Sequence, residues 1–220
     1  MLRTKCDAVL LLSGGIDSTT MLYKLTNDNK RVMCLIFDYG QSLIKEVEIA
    51  ARNAERMQQP WKIIKIDLSF AESACALISD NEIPAGRTME QIDSEIPASY
   101  VEFRNGIFLA YAVMYAECNG IDNIYGGFNG LNSGQYYDDT YAFIKAFEAA
   151  ANAGTKPSFR VRINAPFADT PKSEIVKQGI RIGVNYDDTW SCYGNEDRPC
   201  GVCDSCLQRE RALKDGGYYV

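Results

Sequence analysis

Residues 6–12, CDAVLLL, form a continuous apolar run that breaks at once into SGGIDSTT at 13–20. An apolar run without alternation must be covered on both faces, which is the habit of a parallel strand inside an α/β layer structure. The glycine turn leads into helical spacing at Met21, Leu22 and Leu25. Strand, tight turn and helix then commit the chain to a crossover and a second parallel strand. RVMCLIFD (31–38) and WKIIKIDL (61–68) repeat the buried-strand pattern, with an amphipathic helix over 43–58 between them. Residues 69–99 are less regular and read as loops with short helices. Beyond them come an apolar helix over 106–120 ended by Gly120, a fourth strand at 121–127 and a helix at 140–154. A short alternating strand at 159–166 and a helix over 171–183, with Pro171 at its first position, complete the pattern. The expected fold is α/β, a doubly wound, Rossmann-like parallel sheet over 1–185. Residues 186–220, which carry cysteines and a basic helix, are expected to pack on it as part of one compact unit.

Ligands of such sheets sit outside the carboxyl ends of the strands, and SGGIDS occupies that place. Gly14 and Gly15 allow a tight turn with N–H groups pointing inward, the helix N-terminus adds positive potential, and Ser13, Ser18 and Thr19 add hydroxyls. A phosphate or pyrophosphate is the natural guest, and an ordinary capped strand-to-helix turn is the plain alternative. Neither G-x-x-x-x-G-K-[ST] nor G-x-G-x-x-G is present. Asp17 would repel phosphate, so it is expected to cap the helix or to hold magnesium.

Composition narrows the classes. The chain has 220 residues, 46% of them hydrophobic, which is enough for a sizeable core. Its net charge is −6, which disfavours a nucleic-acid partner. No apolar run approaches the roughly 20 residues of a membrane helix. MLRTKCDAVLLL lacks a signal-peptide cleavage pattern, so the expected location is cytoplasmic. There are no histidines, so a general base must be a carboxylate, lysine, tyrosine, cysteine, substrate or water.

Of eight cysteines, Cys192, Cys200, Cys203 and Cys206 cluster in CYGNEDRPCGVCDSC. Four thiolates beside Pro199 and Gly201 suit a closed tetrahedral zinc knuckle, with an iron–sulfur cluster as the competing reading. A sulfur-carrying catalytic thiol, as in a tRNA thiolase, fits less well with four evenly committed cysteines on an acidic chain. Cys6, Cys34, Cys75 and Cys118 lie in apolar segments and read as core.

SGGIDST after a first strand resembles the pyrophosphate loop of the ATP-pyrophosphatase superfamily, whose members release AMP and pyrophosphate while activating an oxygen as an adenylate. With FDYGQ (37–41), RN (104–105), TPKSEIVKQG (170–179) and TWSCY (189–193) before the cysteine knuckle, nearly the whole chain resembles the 7-cyano-7-deazaguanine synthase (QueC) family. The resemblance implies an adenine nucleotide alpha hydrolase-like fold. It also implies a homodimer that turns 7-carboxy-7-deazaguanine, ATP and ammonia into the nitrile through acyl adenylate and amide. It assigns ATP to Leu12, Ser13, Gly14, Gly15, Ile16, Asp17, Ser18, Thr19, Thr20, Met21 and Leu22, with Asp38, Tyr39, Gly40 and Gln41 beside the adenosine. Arg104, Asn105, Asn129, Ser133 and Gly134 would face the substrate, and Asp17, Arg104 and Lys172 would carry catalysis. A surface arginine, a helix-capping asparagine and a solvated lysine are the plain alternatives for Arg104, Asn105 and Lys172.

Two stretches depart from the family pattern. Glu102 stands where a proline usually precedes the Arg-Asn pair. Tyr136, Tyr137, Asp138 and Asp139 replace a Pro-Asp-Cys-Arg core. Losing an arginine and gaining acids there leaves open a divergent paralogue that stops at the amide or couples the base to a macromolecule. A non-catalytic nucleotide binder is a further alternative, and the intact SGGIDST argues against it.

Overall fold

The computed structural model describes residues 5–41, 44–71, 75–78, 82–97, 99–130, 136–194 and 197–219. In chain order the elements are β1 (Ala8–Leu11), α1 (Ile16–Asn27), β2 (Val32–Asp38), α2 (Ile44–Arg56), β3 (Trp61–Lys65) and α3 (Met89–Ser94). They continue as α4 (Arg104–Asn119), β4 (Asn123–Gly126), α5 (Tyr141–Gly154), β5 (Arg162–Asn164), α6 (Lys172–Arg181) and α7 (Asp204–Asp215). The five strands are parallel in the order β3-β2-β1-β4-β5. The winding reverses between β1 and β4, and a crevice opens beyond their carboxyl ends.

The continuous apolar runs are explained by two cores, one on each face of the sheet. Val9, Leu11, Leu35 and Phe37 point toward α4 and α5, packing with Leu109, Ala112, Ala116 and Ile144. Ala8, Leu10, Leu12, Cys34 and Ile36 point the other way, against α1, α2, α6 and Ala212 of α7. Every side chain of β1 is buried. β3 and β5 are the edge strands, and β3 is half exposed, with Lys62, Ile63 and Lys65 on its exposed positions.

Three expectations change. Pro171 is not the first helical residue: it holds an extended backbone (ψ 139°) as the N-cap, so α6 opens on Lys172. Cys118 is exposed and Cys6 half-buried, whereas Cys34 and Cys75 are core residues. On α4 the buried positions are Gly106, Leu109, Ala112, Val113 and Ala116, and Cys118 falls off that stripe. The irregular 69–99 stretch contains a 3-10 turn at Ser69–Ala71 and α3, the latter with a Thr88–Gln91 capping box. No helix among the described residues is long and apolar enough to cross a membrane.

Tyr186, fully buried, joins α1 to α6. Its hydroxyl lies 2.8 Å from Thr20 Oγ1 and donates to the Ile175 and Val176 carbonyls at 3.3 and 3.4 Å. Gly179 leaves room for that hydroxyl, which any Cβ would strike. Tyr186→Phe should lower unfolding free energy by about 1 kcal/mol. The check is a denaturant melt in which the midpoint falls at unchanged slope.

Candidate active site

The turn after β1 is shaped by what presses on it. Gly14 has φ +82°, and a Cβ there would lie 3.0 Å from the Ala50 amide nitrogen and 3.1 Å from the Glu46 carbonyl, so α2 packs directly on the loop. Gly15 is the N-cap of α1 and offers no side-chain acceptor, which leaves first-turn N–H groups free for a ligand. Ser13 and Ser18 pair through their hydroxyls at 3.0 Å, and Ser18 Oγ also accepts the Ser13 N–H at 3.2 Å.

Asp17 does not cap the helix. Its Oδ2 lies 3.4 Å from Lys172 Nζ, and its Oδ1 is buried without a hydrogen-bond partner among the described residues. Burial pushes the carboxyl above the usual range, while the Lys172 cation acts the other way. A buried, half-orphaned carboxylate at an anion site fits a bound divalent cation. Lys172 reaches this position because α6 starts one residue after Pro171.

The opposite wall comes from β2 and α4. Gln41 is buried and staples the turn after β2, accepting from the Tyr39 N–H at 2.7 Å and donating to the Phe37 carbonyl at 3.1 Å. Arg104 donates to the Tyr39 hydroxyl at 2.8 Å. Burial holds Tyr39 up at about 12, so it stays a phenol. Burial opposes the Arg104 charge, but Tyr39, Tyr136 and Glu46 outweigh it and raise the pKa. α4 begins after Phe103, a left-handed residue (φ 55°) that offers no cap. Asp138 supplies one, accepting the Asn105 N–H at 2.7 Å, and Asp139 accepts the Asn129 N–H at 3.2 Å. The Asn129 side chain donates to the Phe167 and Thr170 carbonyls at 3.2 and 2.7 Å, holding the approach to α6.

One cavity of about 530 Å³ joins these walls. Leu12, Ser13, Gly15, Asp17, Ser18, Tyr39, Gln41, Arg104, Asn105, Asn129 and Lys172 all line it. Gly14, Ile16, Thr19, Thr20, Met21, Leu22, Asp38 and Gly40 do not. Met21 and Leu22 are core residues, and Thr20 bonds Tyr186. Asp38 restrains the turn through the Gly40 N–H at 3.5 Å. Ser133 and Gly134 lie outside the described residues. Tyr136, from the substituted segment, also lines the cavity, and so do Glu46, Phe108, Phe128 and Tyr193, which the motifs do not single out. Glu46 was legible, because it occupies an apolar-face position of α2 in register with buried Ala50, Asn53 and Ala54.

Cys192, Cys200, Cys203 and Cys206 bring their sulfurs within 4.8 Å of one another. Cys200 and Cys206 are 4.0 Å apart, and the amides of Gly194 and Cys200 donate to Cys192 Sγ, each at 3.3 Å. Four sulfurs this close, with N–H···S support, fit a tetrahedral metal site. Trp190 ties it to the loop: its backbone N–H donates to the Gly14 carbonyl at 3.0 Å and its indole N–H to the Cys192 carbonyl at 2.9 Å.

Comparison with known proteins gives a coherent result. The family model described as queuosine biosynthesis protein QueC matches residues 7–217. A 7-cyano-7-deazaguanine synthase of Thermoplasma volcanium is 39% identical over 215 residues, covering 96% of this chain and 88% of that one. One from Nitratiruptor is 40% identical over 213 residues, covering 96% and 94%. Among solved structures, an NMN synthetase from Francisella tularensis matches with a TM-score of 0.52 at 16% identity, covering 98% of this chain and 79% of that one. An NH3-dependent NAD synthetase from Campylobacter jejuni matches with 0.51 at 19%, covering 85% and 68%. These last two share the fold.

Gly127, which follows β4, meets the first turn of α1 so closely that a Cβ would lie 2.7 Å from the Ser18 nitrogen. Overpacking of this kind costs about 1–3 kcal/mol, and the displaced atoms belong to the anion loop. Gly127→Ala should therefore weaken inorganic pyrophosphate binding about tenfold or more by calorimetry, with metal content unchanged.

Proposed function

The chain belongs to the family of the queuosine biosynthesis protein QueC, and from that premise we propose that it is an ATP-dependent carbon–nitrogen ligase that makes 7-cyano-7-deazaguanine from 7-carboxy-7-deazaguanine and ammonia. The observation that carries this is the single cavity, with the Ser13–Ser18 loop, Asp17 and Lys172 at one wall and Arg104 at the other. Activating a carboxylate with ATP needs both: a site for the departing pyrophosphate and a cation for the attacking carboxylate.

The substrate carboxylate attacks the α-phosphorus, the bond to pyrophosphate breaks, and an acyl adenylate forms. Ser13, Ser18 and the first-turn N–H groups of α1 hold the departing pyrophosphate, and Lys172 offsets its charge. The orphaned Asp17 oxygen fits magnesium, which supplies charge neutralisation of the phosphates when bound. Arg104, fixed by Tyr39, faces the acyl end. Phe108, Phe128 and Tyr136 offer flat apolar surface to the two bases. Ammonia then displaces AMP to give the amide. A second ATP activates the amide oxygen, and loss of AMP leaves the nitrile.

The acids at Asp138 and Asp139 favour no second acceptor class, because both carboxylates serve backbone N–H groups. We read residues 1–185 as the nucleotide-binding domain and 186–220 as a zinc segment packed on it, a reading supported by the Trp190–Gly14 hydrogen bond. Zinc is favoured by distance. A tetrahedron with metal–sulfur bonds of about 2.3 Å has edges of about 3.8 Å, near the Cys200–Cys206 separation of 4.0 Å. In a four-iron cluster each thiolate takes its own iron and the sulfurs stand farther apart.

Two measurements test this. Purified protein with ATP, magnesium, ammonium and 7-carboxy-7-deazaguanine should yield the nitrile by mass spectrometry, with AMP released twice for each nitrile. A reaction that stops at amide, or yields no AMP, overturns the assignment. Elemental analysis should find about one zinc per chain and no iron, and Cys203→Ser should lose the metal.

A further inference from the structure

Both nitrogen steps of the proposed reaction shed protons, and the chain has no histidine to take them. Amide formation joins ammonia's nitrogen to the acyl carbon; the C–O bond to AMP breaks with its electron pair on the phosphate, and one N–H proton must leave. Nitrile formation removes the two remaining N–H protons of the amide, the last as AMP departs. Most ionisable groups in the cavity are already engaged. Asp17 pairs with Lys172, Asp139 accepts a backbone N–H, Tyr39 is a phenol bonded to Arg104, Arg211 pairs with Asp93, and Asp215 is exposed at the far end of α7. Glu46 is different. It lines the cavity from the first turn of α2, its carbonyl lies against Gly14 of the anion loop, and its side chain makes no hydrogen bond or ion pair among the described residues.

We propose that Glu46 is the proton acceptor of the nitrogen chemistry, a catalytic carboxylate lying between the pyrophosphate loop and Arg104. It takes one proton from the attacking nitrogen, releases it to water as AMP leaves, and repeats the transfer for each of the two amide protons as the amide becomes the nitrile. Its environment suits the task. Burial pushes its carboxyl up to about 7, with Arg104 opposing, so it can both accept and release a proton near neutrality. The charged and titratable groups sharing its cavity are Tyr39, Arg104, Tyr136, Asp139, Tyr193, Arg211, Asp215 and the Asp17–Lys172 pair. The inference rests on the function proposed above.

The test is Glu46→Gln, read in three ways. Carboxylate-dependent exchange of pyrophosphate into ATP reports adenylation, which needs no base, and should stay near the wild-type rate. Amide and nitrile formation from ammonium should fall by about 10²–10⁴. Hydroxylamine, far less basic than ammonia and already neutral at pH 7, should still trap the adenylate as hydroxamate at a near wild-type rate. At a fixed concentration of free ammonia, the wild-type rate should rise with pH through about 7, and E46Q should lose that rise. Folding has its own readout. A carboxyl raised from 4.5 to about 7 in the folded state stabilises the protein below 4.5, and that contribution disappears as pH rises through 7. E46Q, permanently neutral, should therefore fold and melt higher than wild type above pH 7. Loss of exchange in E46Q and Glu46→Asp alike would make Glu46 a positioning residue and overturn the proposal. Unchanged ammonium rates in E46Q would also overturn it. A wild-type chain without exchange on this acid would instead overturn the substrate reading, and with it the role built on that reading.

Discussion

The hydrogen bond from the Trp190 N–H to the Gly14 carbonyl joins the two ends of the chain at its most constrained turn. Gly14 already has α2 pressed against it, at a distance that admits no side chain. Trp190 is held in turn by its indole bond to the Cys192 carbonyl and by Lys45, whose ammonium lies 4.4 Å from the ring centroid. The cysteine site is thus one hydrogen-bonded step from the anion loop. Metal binding of this type contributes directly to folding free energy. A metal held there would also fix the turn at Gly14, through Trp190.

A chain without histidine has to run its site on carboxylates, cations and phenols, and their roles are set by what surrounds them. Asp17 and Glu46 are both carboxyls pushed upward by burial, but Asp17 faces Lys172 and Glu46 faces Arg104 across the cavity without an ion pair. The first is restrained by a cation; the second keeps its lone pairs. Two like groups in different surroundings divide the work. The Tyr193–Ser99–Tyr136 hydroxyl chain, at 2.8 and 3.1 Å, extends the polar wall from the cysteine knuckle back to the cavity.

Much of this was legible in the residues. Buried parallel strands announce themselves because both faces must be apolar, and β1 and β2 do so plainly. The four cysteines are close in sequence, so their meeting in space needed little long-range information. Cys118 reads as core from sequence because an apolar helix shows its mean hydropathy more clearly than the angle of one residue on its surface. The outer part of the expected ATP span lies away from the cavity for a related reason. Thr20, Met21 and Leu22 belong to the motif because α1 must pack on the sheet, not because they reach the cavity. Glu46 was passed over because a charge on an amphipathic helix is usually solvated, and its place in the apolar register with Ala50 and Asn53 was the signal against that.

The substituted segment before α5 shows why residue type alone misleads. Two aspartates replacing neutral and basic residues look like a change of ligand preference. Yet α4 starts on a left-handed phenylalanine whose ring contributes nothing to its first-turn amides. A helix end buried without an acceptor is costly, and Asp138, almost fully buried, removes that cost at Asn105. Asp139 does the same for Asn129, whose side chain holds the approach to α6. Through these two bonds the segment sets where Arg104 and Lys172 start their helices. The acidic pair shapes the site by positioning both of its cations, and its carboxylates are spent on backbone N–H groups rather than turned toward the cavity as a ligand site.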